Sequence, residues 1–222
     1  FFDVPVVGGN VSLYNEHGEG AIDPTPVVSM VGLIDQAEWV TRSGVNESGL
    51  DLILLGGLPD ELGGSYYLQT NFGKKEGTCP AINLDAEKNL QDFLISQIEA
   101  GNIRAAHDLS EGGLLVCLSE MLFDSTEIGA SVSFNNFGDS GRLDALLFGE
   151  SQGRVLIAVR PEDKEGVIQK AADIGLPAVL LGKTENSDQL KISVSGELIL
   201  NTKVSGLKNA WESAIPNQME TA

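Results

Sequence analysis

Residues Ile103-Arg-Ala-Ala-His-Asp-Leu-Ser-Glu-Gly-Gly-Leu-Leu-Val-Cys-Leu-Ser-Glu-Met-Leu-Phe123 decide the fold class. Ile103–Ala106 reads as a short strand. A polar, glycine-bearing turn follows, and Gly112–Phe123 carries apolar residues at helical spacing. The same alternation recurs on both sides. Upstream, Leu50–Leu55 is an apolar run broken only by Asp51 and closed by Gly56-Gly57, the pattern of a strand buried on both faces. Asp85 offers an N-cap to a helix over residues 86–100, with Leu90, Phe93, Leu94 and Ile98 on one face and Gly101 at its end. Downstream come a short helix over Arg142–Phe148, a strand over Val155–Val159 and a helix over Glu162–Asp173 ended by Gly175. Val179–Leu181, Leu190–Val194 and Glu197–Leu200 read as strands, and a last helix carries Leu207 and Trp211. Strands alternating with helices predict an α/β chain, layered in the α+β manner.

The first forty residues follow a different rule. Val4–Val7 and Val27–Ile34 are apolar, β-branched and bounded by glycine, so both read as strands, with His17–Pro26 a polar loop between them. A glycine- and charge-bearing connection follows Leu33-Ile-Asp, which puts a domain boundary near residues 36–48. Gly63-Gly-Ser-Tyr-Tyr67 reads as a turn into a short segment.

Composition narrows the function classes. The 222 residues are 42% hydrophobic and 21% charged, as in a folded globular chain. Fourteen basic residues against 32 acidic ones leave a net charge of -18, with no Lys/Arg cluster of the kind a nucleic-acid groove requires. A phosphate ligand would therefore depend on backbone N–H groups, helix N-termini, a divalent cation or a partner segment. Cys79 and Cys117 are far apart, and Cys117 lies in an apolar helical run, as a small buried hydrophobe of a reducing cytosol does. No apolar run approaches the ~20 residues that span a bilayer. The opening Phe-Phe-Asp-Val-Pro lacks a basic n-region, a cleavage site and an initiator Met, so it reads as part of a longer chain rather than a signal peptide.

Three constellations could carry chemistry. Gly8-Gly-Asn-Val-Ser12 follows a strand, and its glycines allow close backbone approach to a ligand. Asn10 offers a neutral oxygen to a hard cation and Ser12 a hydroxyl to a phosphate or carboxyl oxygen. A strand-end turn with local caps would have the same residues. Ala106-His-Asp-Leu-Ser-Glu-Gly-Gly-Leu114 places Asp108, Ser110 and free amides at a helix start, where the dipole favours anions, although Ser110 would serve equally as an N-cap. His107 and Asp108 are adjacent on a strand and so point to opposite faces, which favours a supporting role for His107 over a catalytic pair. Gly149-Glu-Ser-Gln-Gly-Arg154 is either a ligand-binding run of Glu150, Ser151 and Gln152 or a polar loop entering a strand. His17 sits in an acidic loop and reads as solvated. Walker A, G-x-G-x-x-G, zinc and nucleophile-elbow patterns are absent.

Pro5-Val-Val-Gly-Gly-Asn-Val-Ser-Leu-Tyr-Asn-Glu16 resembles a signature of the phosphoribosylformylglycinamidine synthase family. Pro26-Val-Val-Ser-Met-Val-Gly-Leu-Ile34, Glu61-Leu-Gly-Gly-Ser-Tyr-Tyr67, Ala106–Leu114 and Leu207-Lys-Asn-Ala-Trp-Glu212 match it in the same order, so the resemblance runs along essentially the whole chain. A broader superfamily, which includes aminoimidazole ribonucleotide synthetase, shares the His107 region more loosely. The resemblance implies the last third of a synthetase built from two tandem domain pairs. Residues 1–40 would end the second N-terminal-type domain, and residues 41–222 would form a complete C-terminal-type domain with a mixed sheet packed by helices.

The reaction it implies is an ATP-dependent C–N ligation in the cytoplasm. The amide oxygen of formylglycinamide ribonucleotide is activated by phosphorylation and displaced by ammonia from a glutaminase subunit or domain, and a small accessory subunit is a further partner the resemblance allows. Carried over by position, Gly9 is an ATP contact, Asn10 a magnesium ligand and Ser12 a substrate contact. Asp108, Glu150, Ser151 and Gln152 fall at a pseudo-symmetric auxiliary site, and the family's catalytic histidine has no counterpart here. By this reading the piece alone is inactive and depends on upstream domains. A competing reading is a non-catalytic nucleotide-binding or regulatory module of the same superfamily.

Overall fold

The structure, a computed structural model, describes residues 1–220 apart from residues 12, 13, 15, 19, 24, 59, 60, 126 and 136–141. Its contacts cluster into two compact units, Phe1–Val40 and Thr41–Ala222.

In the first unit β1 (Val6–Asn10) pairs with a later strand across a small ribbon made of β2 (Glu16–His17) and β3 (Gly20–Ala21). That ribbon lies where a plain loop was expected. The partner of β1 is β4 (Val27–Met30), antiparallel to it, in a register that matches Gly9 with Val28 and Asn10 with Val27. The strand runs through the glycine pair instead of stopping before it. Gly9 has φ +154°, and a Cβ there would run into the Val27 carbonyl oxygen, so only glycine lets the two backbones close up. At the other end Val6 pairs with Met30, and β4 stops there, short of the expected Ile34.

The second unit is one seven-stranded mixed sheet between two helical layers. In chain order its elements are β5 (Asp51–Leu55), α1 (Tyr66–Phe72), α2 (Leu84–Glu99), β6 (Ile103–Asp108), α3 (Gly113–Met121), β7 (Gly129–Phe134), α4 (Leu143–Phe148), β8 (Val155–Val159), α5 (Pro161–Asp173), β9 (Ala178–Glu185), β10 (Leu190–Val194), β11 (Glu197–Thr202) and α6 (Val204–Glu220). The strand order is β11-β10-β7-β9-β5-β8-β6. Among the named strands of the described residues β10 and β7 pair in parallel and the other pairings are antiparallel; an isolated parallel bridge joins Arg42 to Ala105 of β6.

Period-two side-chain alternation assigns each strand residue to a layer. Leu52 and Leu54 face a core shared with Leu114, Leu118 and Met121 of α3 and Leu146 of α4. Ile53 and Leu55 face the opposite core, with Leu90 and Phe93 of α2 and Val167 of α5. Helices on both faces explain why Leu52–Leu55 is apolar without alternation, while Asp51 at the strand start pairs with Lys164 at 3.5 Å.

Local signals set most helix ends. The α2 cap is Asn83, whose Oδ1 accepts the N–H groups of Asp85 and Ala86 at 3.1 Å, so Asp85 lies in the first turn rather than at the cap. At the start of α3 the N-cap is Gly112, in the left-handed region, and no side chain caps it. Ser110 therefore does not serve as that cap; its hydroxyl donates to Asp108 Oδ2 at 2.6 Å. Among the described residues no helix is long and apolar enough to cross a membrane.

Candidate functional site

In the first unit, β1 ends on Gly9 and Asn10, both exposed. The place a Gly9 Cβ would take is filled by the Val27 backbone of β4, so Gly9 closes tightly onto that strand beside Asn10. Ser12, the third residue of that constellation, lies outside the described residues. Asn10 brings one neutral oxygen, and among the described residues no group of three or more His, Cys, Asp or Glu side chains is arranged to hold a metal. One neutral oxygen fits a magnesium ion held chiefly by phosphate oxygens and water.

In the second unit, the turn after β6 and the strap between α4 and β8 converge on a cavity of about 520 Å³. Asp108, Ser110, Glu150 and Gln152 line it, as do Tyr66 and Glu87, which the sequence reading did not single out. Residues separated by forty positions thus meet in one place because β6 and β8 are neighbours, with Asp108 opposite Val155 in the ladder.

Glu150 has the most specific environment in this cavity. Its Oε1 accepts the backbone N–H of Tyr66 at 2.9 Å and of Gly112 at 2.8 Å, at the starts of α1 and α3. A carboxylate at two helix starts meets the positive ends of both peptide dipoles. Ser151 Oγ reaches Glu61 Oε1 at 3.4 Å. Beneath the strap Arg154 is 3% exposed, its Nε donating to the Ser151 carbonyl at 3.1 Å and its Nη2 to the Gly149 carbonyl. Its Nη1 is buried and has no hydrogen-bond partner among the described residues. Burial lowers the Arg154 guanidinium to about 10, and the Glu150 carboxylate works in the opposite direction. Burial also raises the Glu87 carboxyl above its ordinary value.

His107 and Asp108 line different cavities, although His107 Nδ1 still lies 3.7 Å from Asp108 Oδ1. Asp108 lines the 520 Å³ cavity, whereas His107 lines a different one with Glu120 and Phe123. There His107 Nδ1 lies 2.8 Å from the Asp108 carbonyl oxygen and Nε2 lies 3.4 Å from Glu120 Oε2. Cys117 is buried, and that burial drives its thiol well above the ordinary range; Cys79 is exposed. His17 is exposed in β2.

Only one signal could have flagged Arg154: a charged residue directly before the apolar run of β8. Tyr66 and Glu87 had none, because their place at the cavity depends on how α1 and α2 pack.

Residues 47–195 match the family described as AIR synthase related protein, C-terminal domain. The chain is 40% identical over 217 residues to a phosphoribosylformylglycinamidine synthase subunit PurL from Thermoanaerobacter sp. (strain X514), covering 98% of this chain and 29% of that protein. The same-named subunit of Moorella thermoacetica is 41% identical over 212 residues, covering 96% and 28%. The chain therefore spans less than a third of the length of these relatives. Among solved structures, T. maritima PurL complexed with FGAR superposes with a TM-score of 0.68 at 19% identity, covering 82% of this chain and 31% of that one. E. coli HypE, a hydrogenase maturation protein, reaches 0.52 at 21% identity, covering 78% and 51%. These superpositions establish a shared fold.

Proposed function

This chain belongs to the AIR synthase-related family by its C-terminal domain, and from that premise we propose that it forms part of a phosphoribosylformylglycinamidine synthase. In this reading the whole protein uses ATP to convert formylglycinamide ribonucleotide and glutamine-derived ammonia to formylglycinamidine ribonucleotide, in the cytoplasm, with a glutaminase partner. The observation that carries the proposal is 40% identity across 98% of the chain to a subunit of that name.

The resemblance of the β1 motif motivates a division of labour. Gly9, whose backbone closes onto β4, contacts ATP through its main chain, Asn10 supplies one oxygen to a magnesium ion, and Ser12 contacts the substrate. Magnesium, when bound, offsets the phosphate charge that a chain of net charge -18 would otherwise repel. The exposed apolar residues of the β1–β4 ribbon, Val6, Val7, Val27 and Val28, support its belonging to a larger domain, since an isolated two-stranded ribbon is marginal in water. At the second cavity the same superfamily logic assigns Asp108, Glu150, Ser151 and Gln152 to an auxiliary site. Glu150, with one oxygen already accepting two N–H donors, has a holding role there.

The test is ATP affinity of the full-length protein across a magnesium titration. A steep rise in affinity with magnesium is expected; equal affinity with and without the metal would remove Asn10 from the site.

A further inference from the structure

Residues 64–76 leave the body of the second unit and return to it through a neck of glycines. Gly64 N–H donates to the Glu76 carbonyl at 3.0 Å. A Cβ on Gly77 would stand 2.7 Å from Gly63 Cα, so the two strands of the neck touch backbone to backbone. Gly64 and Gly77 both have positive φ, +72° and +95°. Ends this close with a compact interior are the mark of an Ω-loop. The interior is α1, in which no residue is buried.

Among the described residues, two contacts join this excursion to the end of α4 and the strap that follows it, and a third lies just outside the neck. Tyr66 N–H donates to Glu150 Oε1 at 2.9 Å. The Tyr67 ring stacks on Phe148 with centroids 4.7 Å apart and planes 19° from parallel. Just before the neck, Glu61 accepts from Ser151 at 3.4 Å. Tyr66 also lines the 520 Å³ cavity, so the excursion forms one of its walls.

We propose that residues 64–76 are a lid over this cavity, hinged at the Gly63–Gly77 neck and latched shut by Glu150. No residue of α1 itself is buried. Apart from the Tyr67–Phe148 stack and the buried cap Ser65, bonded to Leu62 at the neck, the segment therefore moves as a body at little loss of apolar packing, and paired glycines absorb the backbone rotation. Opening separates Tyr67 from Phe148 and frees the Tyr66 N–H, which releases one of the two donors held by the cavity-lining Glu150 carboxylate. The same oxygen remains on Gly112 N–H, so the latch stays anchored to α3 while the lid swings. The device goes beyond the proposed ligase reaction and does not depend on it.

The test places spin labels at Asn71→Cys on α1 and Ile95→Cys on α2, both exposed, in a full-length protein without other reactive thiols. Distances are measured by double electron–electron resonance in the absence of ligand. With Glu150 intact, one short distance should dominate. In Glu150→Ala a second, longer distance should become the major population, at least about a tenfold shift for loss of a charge-assisted hydrogen bond. Glu150→Gln, which keeps an acceptor oxygen, should shift less. Tyr67→Ala breaks the stack without touching the latch and should open the lid even if Glu150→Ala does not fold. A single unchanged distance in the variants would overturn the proposal. So would a broad, structureless distribution, because the segment would then unravel rather than hinge.

Discussion

Glu150 Oε1 lies 2.8 Å from the backbone nitrogen of Gly112, and this hydrogen bond occupies the start of α3 where a capping side chain would otherwise act. Removing the carboxylate leaves the Gly112 donor without its partner. Glu150→Ala should lower stability by about 1–3 kcal/mol, and Glu150→Gln by less, because a neutral oxygen still accepts. Urea unfolding followed by circular dichroism measures both. An unchanged midpoint in Glu150→Ala would show that the bond contributes nothing net.

Gly8 and Gly9 are adjacent, yet their substitutions should behave differently. A Cβ on Gly8 meets only Ser29 Cβ, at 3.8 Å, an ordinary contact. A Cβ on Gly9 runs into the Val27 carbonyl oxygen at a φ that side chains rarely adopt. Gly9→Ala should therefore displace the β1–β4 pairing, with strain on the order of 1–3 kcal/mol, and reduce ATP-dependent turnover of the full-length protein. Gly8→Ala should stay near wild type. Equal turnover in the two variants would count against the close approach at Gly9.

Asn10→Ala separates ligand binding from folding. In the full-length enzyme it should reduce turnover much more than it lowers the melting temperature, since Asn10 is exposed and contributes little packing. Parallel rate and melting measurements decide the point, and an unchanged rate would rule out the metal-ligand role.

The two thiols should react unequally. Burial drives the Cys117 thiol well above its ordinary range, so little thiolate forms near pH 8, while Cys79 is exposed. Peptide mapping after brief iodoacetamide treatment of native protein should find Cys79 modified and Cys117 untouched. Comparable labelling of both would contradict the burial of α3.

Asp188 caps the start of α6. Its carboxylate accepts the Ser205 hydroxyl at 2.6 Å and the Ser205 N–H at 2.8 Å, and these bonds hold its carboxyl below the usual range. A lowered folded-state value means the stabilisation is fully present above about 3.9, the unfolded carboxyl value, and is lost as pH falls through the lowered one. Asp188→Asn should flatten that part of the acid limb of the stability curve. An acid limb identical to wild type would show that this cap does not couple to folding.

Much of the fold was legible because its signals are local. Strands β8 and β10 match their expected bounds, and α2 starts two residues before its expected range because Asn83, not Asp85, takes the cap. Ranges failed where pairing overrides local pattern. β9 runs to Glu185, well past the expected Leu181, because β5 and β7 flank it on both sides. The residues 63–67, expected as a turn into a short segment, open a helix capped by Ser65, whose hydroxyl accepts the Leu68 N–H.

What the sequence determined by itself is the alternation of strand and helix, the glycine pair ahead of Asn10, and the motif order that points to a synthetase. Side-chain period and turn chemistry are set within a few residues, so they can be read before folding. Only the tertiary structure decided that β10 and β7 run parallel, that His107 and Asp108 serve different cavities, and that Glu150 joins two helix starts. The partners of Glu150 lie 38 and 84 positions away, and no local pattern encodes contacts that exist only once the sheet has closed.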